Sequence, residues 1–344
     1  MSAVTQGKHR NPTVDEAWLA KRVEPILEPD LPIIDPHHHL GFEGTPLQYL
    51  VPDVLNDMNS GHHFVGSVFS DCEVHHRTDG PEHLRPVGET EFVATEAETY
   101  AKAHPDAIKV CSGIISTADL TLGERVREVL EAHITAGRGR FRGIRGHTHN
   151  DAEEMVGGKN WPDRMLYEPR VREAIACLAP LSLTYDAWLF HPQIPHLVDL
   201  ARAQPQTTIV LVHCGGPLGT GRWAGKADEV FPVWKAAMEE LARCDNVYVK
   251  VGGLGTVTAG YTLWDREIPL SSEELAQEWS RWITPSIQMF GPERCMFQSN
   301  FPIDKRTTSS AVLWNAFKRL AAGYSADEKA ALFAGSARKA YRLP

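Results

Sequence analysis

The chain predicts an α/β fold, a closed (β/α)8 barrel of the TIM type carrying an N-terminal helical extension. Three observations carry that prediction. Eight short apolar runs alternate with amphipathic stretches, the rhythm of parallel strands joined by helical crossovers. The length of 344 residues suits one such barrel. An open doubly wound sheet, the competing architecture, should carry a dinucleotide or phosphate fingerprint, and neither follows the first strand.

The elements fall in order. Residues 1–30 precede the first strand and read as a helix with a Pro-containing lead-in, part of a single domain spanning 1–344. The strands follow as PIIDPH (32–37), FVGSVFSD (64–71), AIKVCSGIIS (107–116), FRGIRG (141–146), LSLTYDA (181–187), TIVLVH (208–213), NVYVKVG (246–252) and CMFQSN (295–300). Helical patterns lie between them at 89–104, 122–137 and 228–244. Residues 324–343 read as a closing helix with Ser325 as its cap. The glycine-rich GGPLGTGRWAG (215–225) lacks the spacing of a phosphate loop and reads as a flexible cover over the site.

Composition narrows the function. Apolar residues make up 42% and charged residues 23%, ordinary values for a globular enzyme, and the net charge of −9 argues against a nucleic-acid-binding face. Six scattered cysteines form no C-x-x-C pair, so reduced thiols in a cytoplasm are expected. No signal peptide or membrane-length apolar run is visible, so no membrane partner is expected.

In a (β/α)8 barrel the chemistry sits at the carboxyl ends of the strands. That rim collects His37 and His39, Asp71 beside Glu73, Arg145 with His147 and His149, His191, His213, Lys250, Asn300 and Asp304. His37 and His39 share one strand face, with Cα atoms about 6–7 Å apart, so both imidazoles can meet one cation. Each residue has a plainer reading. His191 could cap a helix, Asp71 could pair with an arginine, and Arg145 and Lys250 could join ion pairs within the rim. Trp188 could line the pocket and contact substrate, or simply pack.

The blocks IIDPHHHLG, FRGIRGHTHND, YDAWLFHPQIPHLVDLA, LVHCGGPLG, VYVKVGGLG and RCMFQSNFPIDK together resemble the amidohydrolase superfamily, specifically its amidohydrolase-2 branch of metal-dependent TIM-barrel hydrolases. Sugar-acid and 2-pyrone-4,6-dicarboxylate lactonases belong to that branch. The resemblance implies a divalent metal (Zn, Mn or Fe, one or two ions) at His37, His39 and His213, with Asp71, His191 and Asp304 as further ligand candidates. It implies a hydrolase that acts through a metal-activated water on a small carboxylate-bearing lactone or amide. Asp71 or Asp304 would take the proton, and Arg145, Lys250 and Trp188 would bind substrate. The branch places an Asp where this chain has Asn300, and an amide cannot act as a general base. Because of that departure a second reading stands beside the first: a dinuclear iron or iron/manganese oxygenase on the same scaffold. A homo-oligomer stays open.

Overall fold

The computed structural model describes residues 13–153 and 159–344. Eight parallel strands form one sheet in sequence order: β1 (Ile33–His38), β2 (Phe64–Ser70), β3 (Lys109–Ser116), β4 (Phe141–His147), β5 (Thr184–Trp188), β6 (Thr208–Leu211), β7 (Val247–Gly252) and β8 (Cys295–Gln298). The sheet curls back on itself. Just past β8, the Asn300 N–H donates to the His37 carbonyl (2.9 Å) and the His39 N–H donates to that of Phe301 (2.8 Å). This seam makes the barrel and sets β1's histidines against Asn300.

After α1 (Glu16–Leu19), which precedes β1, the crossovers are helical: α2 (Val51–Met58), α3 (Val87–Ala103), α4 (Val126–Ala136), α5 (Pro169–Ala176), α6 (Ile194–Ala203), α7 (Ala227–Ala242) and α8 (Ser272–Phe290), with α9 (Ser310–Leu320) following β8. Helix α8 shows why these helices pack outside the barrel. Leu275, Trp279, Trp282, Ile283, Ile287 and Phe290 recur at three- and four-residue spacing and form one buried stripe. Ser271 caps it in a reciprocal pair with Glu274.

An N-terminal helix precedes the barrel. Only four residues are helical in α1, capped by Asp15, and residues 1–12 lie outside the described residues. The lead-in is instead held by tertiary bonds. Trp18 Nε1 donates to the Arg266 carbonyl (2.8 Å), and Lys318 Nζ donates to that of Leu27 (2.7 Å).

The closing helix forms, with Ser325 as its cap, but Ala331–Gly335 is π-helical between α10 (Ala326–Ala330) and α11 (Ser336–Tyr341). Its residues Ala334, Ala337, Ala340 and Tyr341 cluster with Ile34, Val68, Ile115, Val210, Tyr248 and Met296 from the strands. This C-terminal segment therefore plugs the barrel at the end away from the chemistry. Among the described residues no helix is long and apolar enough to cross a membrane. All six cysteines are free.

Candidate active site

Above the plug, the barrel interior turns polar. Tyr341 Oη donates to Asp186 Oδ2 (2.7 Å), which also accepts from Lys250 Nζ (2.7 Å). Lys250 Nζ then lies 3.3 Å from His37 Nδ1. Asp186 and Lys250 are both fully buried. Lys250 is thus placed below the floor of the mouth, in an ion pair, and does not line the cavity. Burial lowers its pKa, and the Asp186 charge opposes that shift.

The mouth itself is a cavity of about 320 Å³. It brings together His39, Asp71, Arg145, Trp188 and His213 from the predicted set, with His147, His149, Trp161, Asn300 and Arg306. Asp304 stands one layer back. Its carboxylate accepts from Asn300 Nδ2 (2.7 Å) and from the Gly255 N–H (2.9 Å). Burial, only partly offset by those bonds, pushes it up to about 7. His191 also lies outside the cavity. Its Nδ1 accepts from the Leu218 N–H, and its ring meets Trp223 edge-on. No residue of the glycine-rich segment 215–225 lines this cavity; its Arg222 and Trp223 are tied to Asp151.

Three imidazoles stand near one another. His37 lies 5.0 Å from His39 and 4.8 Å from His213, ring centre to ring centre. Burial holds His39 down at about 3 and keeps His37 and His213 well below the ordinary value, with cationic neighbours adding to the shift. All three are therefore neutral, the form that binds metal. His39 Nδ1 donates to the Ser70 carbonyl (2.8 Å), which leaves Nε2 as a lone pair. That Nε2 lies 3.3 Å from Asn300 Oδ1, about the spacing of two atoms each 2.0–2.1 Å from a shared ion.

His37 Nε2 is buried without a partner. His213 Nδ1 lies 2.6 Å from the Gln298 side-chain amide, whose Oε1 is unpartnered. With its amide turned end for end, Gln298 accepts the Nδ1 proton and leaves the His213 Nε2 lone pair free. Gly253 makes that contact feasible, since a Cβ there would sit 1.9 Å from His213 Nδ1.

Neutral imidazoles and an amide oxygen are donors suited to one divalent cation. Among the described residues no three His, Cys, Asp or Glu are grouped as a metal site as they stand; His39 Nε2 and Asn300 Oδ1 are at ligand spacing, with the His37 and His213 rings beside them. For His37 to offer Nε2, its proton must sit on Nδ1, the nitrogen that faces Lys250.

The anionic residues are otherwise engaged. Asp71 Oδ2 meets His147 Nε2 at 2.6 Å, and Asp71 Oδ1 accepts from the Glu73 N–H. Burial alone would raise the Asp71 carboxyl, but the bond and charge of His147, with Arg145 nearby, hold it below the usual range. Arg145 donates to the Asp71 carbonyl (2.9 Å) and lies over Trp188 (5.6 Å). Among the described residues neither Arg145 nor Arg306 has a carboxylate within salt-bridge distance, although both are buried. Each also keeps a buried N–H without a partner.

Sequence reasoning undervalued His147 and passed over Arg306, Gln298 and Asp186. For His147 the signal was present, because H-T-H at 147–149 repeats the spacing of His37 and His39.

The amidohydrolase family model matches residues 34–343, and the chain belongs to that family of hydrolytic enzymes. An uncharacterised protein, y4mH, of Sinorhizobium fredii is 29% identical over 336 residues, covering 91% of this chain and 99% of its own. An L-fucono-1,5-lactonase of Burkholderia multivorans is 28% identical over 171 residues, 49% of this chain and 55% of that enzyme. Among solved structures, a Burkholderia multivorans amidohydrolase with bound zinc superposes with a TM-score of 0.68 at 22% identity, over 91% of this chain and 99% of its own.

Proposed function

We propose that this chain hydrolyses a small carboxylate-bearing lactone or amide in the mouth of the barrel. One observation carries the reading: a single cavity holds His39, His213 and Asn300 beside two buried guanidinium groups that, among the described residues, have no carboxylate within salt-bridge distance. A buried guanidinium with an unmet N–H and no carboxylate in direct contact is costly, so an anion bound here would be stabilised. The kinship with a lactonase over half the chain points to the same chemistry.

His37, His39, His213 and Asn300 would hold the ion, which when bound supplies Lewis acidity at an acyl oxygen. Zn, Mn and Fe all suit imidazole-rich donors. Arg145 binds the substrate's carboxylate, Trp188 flanks it, and Asp304 holds Asn300 in place. A two-ion oxygenase would need carboxylate bridges, yet Asp71 is committed to His147, and Asp304 to Asn300 and Gly255. The free thiols fit a reducing compartment such as the cytoplasm.

The test is proton release on a panel of lactones and amides, with and without a carboxylate. Ring-opened hydroxy acid or free amine is the expected product, and a panel left intact would refute the reading. Arg145→Met should weaken carboxylate substrates by about 10- to 100-fold in KM, the worth of a charged hydrogen bond, and should spare uncharged ones. Equal losses on both kinds would move the anion site elsewhere.

A further inference from the structure

We infer that His147 and Asp71 form a proton-transfer pair, with His147 as the catalytic acid and base and Asp71 as its positioning residue. The inference rests on the hydrolase reading and names the group that this reading lacks. Asn300 cannot take a proton, and Asp304 does not reach the cavity. Asp71 does line it, but its Oδ2 is held by His147.

The pair is built rather than incidental. Asp71 is fully buried, while the His147 side chain keeps 15% of its exposure and faces the cavity. Two further contacts fix the residue's place: the Glu73 N–H reaches Oδ1, and Arg145 donates to the main-chain carbonyl of Asp71. An imidazole that gives its Nε2 proton to a buried carboxylate presents Nδ1 as a lone pair. The orientation matches that of a histidine whose acid partner sets its tautomer.

The step balances. Nδ1 takes a proton from water as the water oxygen bonds to the acyl carbon. The same proton then passes to the leaving alkoxide or amine as its bond to that carbon breaks. Water and lactone become a hydroxy acid, and His147 returns to its starting form.

The experiment combines kinetics with a readout that needs no turnover. His147→Gln should lower kcat about 10²-fold or more, with KM held within about threefold and metal content unchanged. Asp71→Asn should lower kcat less, about tenfold, and added imidazole should restore part of the activity of His147→Gly. Nitrogen-15 NMR of labelled histidines should show one ring protonated at Nε2 and bare at Nδ1, lost in His147→Gln and altered in Asp71→Asn. A His147→Gln enzyme with wild-type kcat overturns the inference, and so does a His147 ring protonated at Nδ1. If the wild type turns over nothing in the panel, the hydrolase reading fails and the NMR signature alone decides the pair.

Discussion

Replacing Asp186 by Ala should cost the barrel about 3–5 kcal/mol of stability. Lys250 is fully buried and holds Asp186 at 2.7 Å, with Tyr341 as the carboxylate's second donor. Without that carboxylate the buried ammonium keeps the His37 imidazole (3.3 Å) and the Tyr341 ring (5.2 Å), with the Asp35 charge acting on it without direct contact. The double variant Asp186→Ala/Lys250→Met removes both charges and should recover much of the loss, since apolar replacement of a whole pair is often near neutral. Tyr341→Phe, which removes one hydroxyl, should cost about 1 kcal/mol. Urea unfolding followed by far-UV circular dichroism measures all three. An Asp186→Ala protein as stable as wild type would show that Lys250 is not held as an ion pair.

The second large effect concerns His37 and His39. Substituting both by Ala should abolish bound metal and hydrolysis together while leaving the far-UV spectrum nearly unchanged. His39 makes one main-chain bond, and His37 touches Lys250 and the neighbouring rings, so neither carries a strand. Elemental analysis and proton release on one preparation check this. Full metal content in the double variant would place the ion elsewhere.

The alternation of strand-like and helical runs made the barrel legible, because a buried parallel strand is a short apolar run and its crossover helix carries a 3.6-residue stripe. The strand ends were legible for the same reason. His37, His39, Asp71, Arg145 and His213 sit where an apolar run stops, and all but His37 line the cavity.

What lay inside the barrel was harder to see. Lys250 reads as a rim residue, yet its side chain points down toward Asp186, two positions before the end of β5. Period-2 alternation does put Tyr248 with Lys250, and Asp186 with Trp188, on the inner face. It cannot say which inward side chain reaches up and which reaches down. The Asp304 expectation met a similar limit. Four residues past Asn300, the chain has turned, so the carboxylate backs the amide instead of joining it in the cavity. The order of the N-terminal lead-in comes from bonds to residues distant in the chain, which no local pattern announces.

If this barrel adds water across an acyl bond at a site holding one ion, turnover needs no dioxygen. Turnover of the lactone and amide panel in an anaerobic chamber, with elemental analysis of the same batch of protein, tests this, and full activity without dioxygen with one divalent ion per chain is expected. Activity that appears only with air and iron would contradict it.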